Sequence, residues 1–298
     1  MPFVLHETRH GITYCEVKYT GPMTVSTLTA RTALFTPANR IDRVEKALAG
    51  PADTVIVDLE DAVAESAKDS ARQQLKDFLG SLEPEVQHRL AIRINAPDTA
   101  AGQADLDMLG DAKQLPAAIM VPKAEATGTF DRLPEFLDAV TILALVETPT
   151  AVRDVHAIAA LDRVDRLAIG AVDLSSALGS QIASVPIEAA RAAVVLASAA
   201  AGLPGPLDTP TTEISNDDAI QAAAQASVRV GFSGMLCIHP KQLDHVTAAF
   251  TPSQEMVEWA ERVMAAGDGA GTVDGQMIDR PVMLRAERIL QDAGRSAS

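Results

Sequence analysis

Short apolar segments alternate with longer amphipathic segments along the chain from residue 31 onward. A short apolar run bounded by turn-forming residues is typical of a buried parallel strand, whereas apolar positions three and four apart indicate a helix. We predict strands at residues 33–36, 54–58, 89–94, 117–121, 141–146, 166–170, 205–208 and 234–238.

The segments between these strands have helical patterns. We predict helices near residues 40–50, 66–80, 102–112, 130–139, 150–160, 186–202 and 216–230. This alternation predicts an α/β protein, a closed (β/α)8 TIM barrel. A doubly wound open sheet is the alternative, but it requires a glycine-rich phosphate loop after its first strand, and residues 36–40 contain no glycine.

The two ends of the chain differ from the barrel pattern. Residues 1–28 have little periodicity and are predicted to be an N-terminal extension, for which disorder is one interpretation. We assign the barrel to residues 29–250 and a C-terminal helix with an appended segment to residues 251–298. Glycines within residues 267–275 predict that the last helical stretch, 281–291, is mobile.

The charge balance excludes some classes of partner. Asp and Glu outnumber Lys and Arg by 40 to 25, and the net charge is −15. Nucleic acids and anionic membranes favour basic surfaces, so we expect neither as a partner. Cys15 and Cys237 are far apart and are interpreted as free thiols. With no membrane span and no signal peptide in the sequence, we predict a cytoplasmic protein.

Polar residues cluster at the predicted strand ends, and active sites of (β/α)8 barrels lie at the C-terminal ends of the strands. No pair of Cys or His occurs among them, which disfavours zinc, whereas many carboxylates favour Mg2+ or Mn2+. The residues at these ends are Asp58, Glu60, Asp61, Arg93, Asn95, Lys123, Glu125, Glu147, Asp173, Asp208 and His239.

Each of these residues also has a structural interpretation. Glu147 and Asp173 either share one metal ion, which we favour, or have capping roles, Glu147 for the helix that starts at Pro149 and Asp173 for the turn before Leu174. An unpaired buried guanidinium is costly, so Arg93 either forms a salt bridge with Asp58 or Glu60 or binds a substrate carboxylate, and we favour the second. Lys123 either forms a salt bridge with Glu125 or Asp61 or contacts substrate, and His239 is predicted to be structural.

The motifs taken together resemble one family. Their order and spacing are similar to those of the HpcH/HpaI aldolase–citrate lyase β-subunit family, and within it the CitE-like β-hydroxyacyl-CoA lyases. The matching segments are residues 31–37, 58–63, 92–95, 121–125, 146–149, 170–179, 231–234 and 238–242.

The resemblance implies roles for the acids and the arginine at the strand ends. Glu147 and Asp173 match the family's Mg2+ ligands, for which Mn2+ is an alternative ion. Glu60 and Asp61 match acids that hydrogen-bond the waters of the metal, and Arg93 matches the arginine that binds the reacting substrate.

The resemblance also implies contacts for CoA and a lid. Arg31 is a candidate contact to the substrate or the CoA arm. Arg40 and Lys46 are further candidates for binding the CoA part of the substrate. Residues 274–281 resemble the lid of malyl-CoA and citramalyl-CoA lyases, in which an aspartate matching Asp279 reaches into a neighbouring subunit. A C-terminal helical lid extension and a homotrimer or hexamer are therefore expected.

The implied activity is Mg2+-dependent cleavage of a 3-hydroxy-3-carboxyacyl-CoA, of the malyl-CoA or citramalyl-CoA type, to an acyl-CoA and a 2-oxo acid. Arg93 would stabilise the enolate, and Asp279 would supply its proton. Thioester hydrolysis in the same site is a related outcome. The alternatives are a CoA-independent class II aldolase, a subunit of a citrate-lyase-like complex that acts with partner chains, and a non-catalytic CoA-binding paralogue.

Overall fold

The structure is a computed structural model that describes residues 5–6, 14–15, 27–267 and 272–294. Most of the extension predicted over residues 1–28 lies outside the described residues. The chain divides into two compact units, Met1–Val246 and Thr247–Ser298.

The first unit contains a closed barrel of eight parallel strands, which confirms the predicted TIM barrel. The last strand pairs with the first, through Met235 with Thr32 and Cys237 with Leu34, and this pairing closes the sheet. The strands are β1 Thr32–Pro37, β2 Thr54–Asp58, β3 Leu90–Arg93, β4 Ala118–Val121, β5 Thr141–Val146, β6 Arg166–Ile169, β7 Leu207–Asp208 and β8 Gly234–Cys237.

Small aliphatic side chains fill the barrel. Only 3% of the residues are aromatic, so the packed layers are built from alanine, leucine, isoleucine and methionine. One core cluster comprises Ala33, Ile56, Ala91, Ala118, Met120, Leu143, Leu145, Ala168, Leu207 and Leu236.

Helices follow the strands, with short 3-10 turns at Glu65–Ala67, Phe130–Arg132 and Glu135–Leu137. In the part of the chain that the structure describes, no helix is both long and apolar enough to cross a membrane. The helices are α1 Ile41–Leu48, α2 Lys68–Leu79, α3 Pro84–Gln87, α4 Ala100–Gly110, α5 Pro149–Arg153, α6 Val155–Ala159, α7 Ala171–Leu178, α8 Val185–Ala200, α9 Asp217–Val230, α10 Gln242–Phe250, α11 Gln254–Ala266 and α12 Arg280–Asp292.

Two predicted helices are wrong in detail. Residues 130–139 form two 3-10 turns, because Pro134 cannot continue a helix and the preceding Leu133 is extended, with ψ 123°. Residues 150–160 form two short helices that are interrupted at Asp154, whose φ and ψ are −101° and 12°.

The second unit contains a helical pair. Residues 281–291, predicted to be mobile, form most of α12, which packs against α11 through an apolar cluster. The guanidinium of Arg285 lies 5.1 Å from the centre of the Trp259 ring. The buried cluster residues are Val257, Ala260, Val263, Ile278, Ala286, Ile289 and Leu290.

A buried arginine joins several segments at the N-terminal end of the barrel. Arg166 begins β6 and is fully buried, and burial lowers its pKa to about 9, so the guanidinium stays protonated at neutral pH. Its donors reach the carbonyl oxygens of Gly205 (2.9 Å), Thr27 (2.7 Å) and Ala30 (3.0 Å) and the hydroxyl of Ser233 (3.0 Å).

We predict that Arg166→Met lowers the free energy of unfolding by about 3–5 kcal/mol, because the carbonyl oxygens lose a charged donor while the buried volume is kept. Urea-induced unfolding measures this loss. Arg229→Met, at an exposed position near the end of α9, is the matched control, with an expected change within about 0.5 kcal/mol. Equal unfolding midpoints for the two variants would contradict the prediction.

Candidate active site

Carboxylates from three parts of the barrel meet at the C-terminal ends of the strands. Asp58 ends β2, and Glu60 and Asp61 lie in the loop that follows it. Glu147 follows β5, and Asp173 lies in the first turn of α7, directly after β6. The sequence placed Asp173 at a strand end but missed the short helix that carries it.

Arg93, at the end of β3, is held among these acids. Its Nε and Nη2 donate to the two carboxylate oxygens of Asp58 at 2.8 and 2.6 Å. Its Nη1 lies 3.1 Å from Glu60 Oε2 and 3.4 Å from Asp61 Oδ2, and its guanidinium stacks 4.8 Å from the centre of the Phe35 ring. Burial disfavours the charged form, but the bonds to Asp58 and the nearby acids together raise the pKa of Arg93 above its ordinary value.

The structure therefore shows the salt-bridge interpretation of Arg93, whereas from the sequence we favoured a substrate contact. A substrate contact stays a prediction, and Nη1 is the nitrogen that faces the other acids.

Asp58 has a second role that the sequence did not reveal. Its carboxylate accepts from the backbone N–H groups of Glu60 (2.9 Å) and Ala62 (3.0 Å), so it fixes both Arg93 and the acidic loop.

Glu147 has one satisfied and one unsatisfied carboxylate oxygen. The residue is 2% exposed, and Oε1 accepts from the backbone N–H of Lys123 at 2.8 Å. Oε2 is buried and has no hydrogen-bond partner among the described residues. Burial, with the nearby charges of Glu60 and Asp173, raises the pKa of Glu147 to about 8. A cation at Oε2 would offset these costs, because opposite charge favours the ionised carboxylate.

Glu60 is shared by two basic side chains. Besides Arg93, it contacts the Nζ of Lys123 through Oε1. Burial raises the pKa of Glu60, and these two cations oppose that shift. The Lys123 side chain is 48% exposed, whereas that of Arg93 is 9% exposed.

This set of donors fits Mg2+. Within the described part of the chain, no three His, Cys, Asp or Glu side chains form a group that could hold a metal by themselves. Mg2+ is commonly held by one or two carboxylates, with water and substrate oxygens completing its coordination. The unpaired oxygen of Glu147 and the exposed carboxylate of Asp173 match that requirement.

The three basic residues predicted to bind CoA lie in different places. Arg31 precedes β1, and its backbone N–H donates to Asp53 at 2.8 Å. Arg31 therefore lies at the N-terminal end of the barrel, about 20 Å along β1 from the end where the acids lie. The proposed site does not include it. Arg40 lies beyond the C-terminal end of β1, paired with Asp42 at 2.7 Å, and Lys46 is exposed in the last turn of α1.

Two other strand-end residues have structural partners. Asp208 is oriented toward the outer helices, where it binds Arg191 Nε at 3.1 Å and Ser227 Oγ at 2.6 Å. His239 Nδ1 accepts from the backbone N–H of Lys241 at 3.2 Å, a local turn contact.

A buried polar network supports the acidic loop, and the sequence did not reveal its central residue. Asp105 in α4 is fully buried and binds Arg72 Nε at 2.7 Å and both the backbone N–H and the side-chain amide of Asn95 at 2.7 Å. Asn95 contacts Lys68 Nζ and donates to the carbonyl oxygen of Leu59 at 3.0 Å. The network thereby holds the backbone immediately before the acidic loop.

Asp279 belongs to the second unit. It is the N-cap of α12, where its Oδ1 accepts from the backbone N–H of Val282 at 3.1 Å, and it is exposed. Its role as a catalytic acid that reaches into a neighbouring subunit stays a prediction.

A close approach between Gly170 and Glu147 gives a direct test of this geometry. A Cβ at Gly170 would lie 2.7 Å from Glu147 Oε2 and 2.8 Å from its Cβ. We predict that Gly170→Ala displaces the carboxylate and weakens Mg2+ binding at least about tenfold, as measured by isothermal titration calorimetry. Gly80→Ala is the control, because there the nearest atoms lie at 3.5 Å and no change is expected. Unchanged Mg2+ affinity in Gly170→Ala would contradict a role for Glu147 as a ligand.

Known proteins are similar to this chain in sequence and in fold. The chain is 38% identical over 275 residues to the citrate lyase subunit beta-like protein of Mycobacterium tuberculosis, covering 89% of this chain and 96% of that protein. It is 30% identical to a (3S)-malyl-CoA thioesterase of Cereibacter sphaeroides, covering 88% and 94%. Further relatives are L-malyl-CoA/β-methylmalyl-CoA and citramalyl-CoA lyases.

The structure is also similar to that of CitE from Mycobacterium tuberculosis in complex with magnesium, acetoacetate and coenzyme A. The TM-score is 0.78 at 36% sequence identity, with 90% of this chain and 99% of that chain covered. Residues 31–240 match the HpcH/HpaI aldolase/citrate lyase family. The chain belongs to this family, as its order of motifs predicted.

Proposed function

We propose that this protein is a Mg2+-dependent carbon–carbon lyase that cleaves a 3-hydroxy-3-carboxyacyl-CoA, of the malyl-CoA or citramalyl-CoA type, to an acyl-CoA and a 2-oxo acid. The observation that carries the proposal is the buried, unpaired Oε2 of Glu147 beside further acids. The relatives that act on malyl-CoA and citramalyl-CoA support the substrate class.

Glu147 and Asp173 would hold the ion, and Glu60 and Asp61 would hydrogen-bond its waters. When bound, Mg2+ acts as a Lewis acid toward the oxygens of the 2-oxo acid portion. The protein fixes Glu147 through the backbone N–H of Lys123 and fixes the acidic loop through Asp58. The carboxylates are thus oriented before a ligand arrives.

Arg93 would stabilise the negative charge that develops when the carbon–carbon bond breaks. Asp58 and the Phe35 ring hold its guanidinium in one orientation, so little reorganisation is needed during the reaction. The hydroxyl gives its proton to water and becomes the carbonyl group of the 2-oxo acid. The electrons of the broken carbon–carbon bond pass to the thioester enolate, and the enolate carbon takes up one proton, so no net proton is gained or lost.

We assign that proton to Asp279 of a neighbouring subunit. This assignment requires an oligomer, which we propose to be a cytoplasmic homotrimer or hexamer. In it, residues 251–298 of one subunit act as the lid of a neighbouring subunit. Exposure of Asp279 at the start of α12 is compatible with this role. Arg40 is the candidate contact for CoA phosphates near the strand ends, and Lys46 is a more distant one.

Thioester hydrolysis is the second candidate function, and the relationship to a malyl-CoA thioesterase favours it. Water would add at the thioester carbonyl and release the CoA thiol, with the carbon–carbon bond intact. Both activities use the same acids and the same arginine, so the products must distinguish them.

We predict Mg2+-dependent release of a 2-oxo acid from a panel of malyl-, methylmalyl- and citramalyl-CoA thioesters, with the free thiol measured separately. Glu147→Gln keeps the shape but removes the charge, and should lower turnover at least about a hundredfold. Glu85→Gln, an exposed acid in α3, should leave it unchanged. Release of free thiol without 2-oxo acid would identify a thioesterase. Turnover of free 2-oxo acids with aldehydes, but of no CoA thioester, would identify a class II aldolase.

We predict that the lid is exchanged between subunits, which complementation tests. Glu147→Gln and Asp279→Ala should each be inactive alone. Co-assembled in equal amounts, they should recover about a quarter of the wild-type activity, because random assembly joins an intact Glu147 with an intact neighbouring Asp279 at that frequency. No recovery in verified mixed oligomers would place both residues in the same subunit, whereas an active Asp279→Ala variant would remove Asp279 from the reaction.

A further inference from the structure

Lys123 contacts two of the acids through different parts of the residue. Its backbone N–H donates to Glu147 Oε1 at 2.8 Å, and its Nζ contacts Glu60 Oε1. It follows Pro122 directly after β4 and therefore stands between the acidic loop after β2 and the end of β5. From the sequence we expected a salt bridge to Glu125 or Asp61 or a substrate contact, so neither Glu60 nor Glu147 was foreseen as the partner.

The backbone of Lys123 is in an unfavourable conformation. Its φ is +47°, in the left-handed region that glycine and asparagine adopt more readily than other residues. Such a conformation costs free energy and persists only when the surrounding structure enforces it, and it is concentrated at functional sites. The observed consequence here is that the Lys123 N–H is directed at the Glu147 carboxylate.

The hydrogen bond to Oε1 determines which Glu147 oxygen is available. Lys123 N–H occupies Oε1, while the absence of a side chain at Gly170 leaves room for Oε2. The unpaired Oε2 therefore has a fixed position. It is set by residues that follow β4 and β6, the two strands on either side of β5. Partners that orient a metal-ligating carboxylate in this way commonly affect metal affinity by about 10–100-fold.

We propose that Lys123 is a positioning residue whose left-handed backbone presents Glu147 Oε2 to the divalent cation. The inference rests on the proposed function in that it takes Glu147 as a metal ligand. The amine is a separate contribution, because it holds Glu60 and adds a positive charge beside the acids.

Three substitutions separate the backbone from the amine. Lys123→Gly and Lys123→Asn both remove the amine but favour the left-handed conformation, so the N–H keeps its direction. Lys123→Val also removes the amine, but its β-branched side chain strongly disfavours positive φ. Because all three lose the same charge, the comparison isolates the backbone.

Isothermal titration of the full-length protein with Mg2+ alone is the measurement, and it requires no substrate. The glycine and asparagine variants should bind Mg2+ as tightly as the wild type or more tightly, since a nearby positive charge is lost. The valine variant should bind at least about tenfold more weakly than the glycine variant. Thermal melts in EDTA identify loss of folding, and if the valine variant fails to fold, Lys123→Thr takes its place with the same expectation.

Each result decides the inference. Equal Mg2+ affinity for the valine or threonine variant and the glycine variant would overturn it, as would a wild type that does not bind Mg2+. Glycine and asparagine variants as weak as the β-branched one would also overturn it, because the amine would then be the important group. If the expected ranking is found but no CoA thioester is cleaved, the proposed function fails while the role of Lys123 stands.

Discussion

The concentration of carboxylates at one end of the barrel is the constraint on which the site depends. Asp58, Glu60 and Glu147 are buried there, and a buried carboxylate is stable only when it is paired or hydrogen-bonded. Arg93 is hydrogen-bonded to Asp58 and forms an ion pair with Glu60, but Glu147 Oε2 has neither kind of partner among the described residues. The protein fold thus maintains a local excess of negative charge that a divalent cation would offset.

The barrel was predictable because its strands are short apolar runs and its helices have clear ends. Where these signals fail, a specific residue explains the error. Pro134 breaks a predicted helix into 3-10 turns, and α7 was missed because eight residues between Gly170 and Gly179 give too short a periodic pattern. That helix matters because it carries Asp173.

The candidate site was predictable as a set of residues but not as a set of contacts. A strand-end position does not determine which way a side chain is oriented, since successive side chains alternate between the two faces. Asp208 therefore pairs with Arg191 on the outer helices, while Asp58 is bound to Arg93. Asp105 was missed because α4 has only a weak apolar periodicity, so the sequence does not mark the face on which this acid is buried and bound to Arg72.

The two basic side chains among the acids differ in a way that separates their tasks. Arg93 is buried, bound twice to Asp58 and stacked on Phe35, so its charge has one position. The amine of Lys123 is half-exposed on a flexible stem and contacts Glu60, whereas its backbone N–H is held against Glu147. A fixed cation suits stabilisation of charge that develops during a reaction, because its orientation is set in advance. A more mobile cation can adjust when a metal ion changes the local charge, so the same cluster can remain stable with and without the ion.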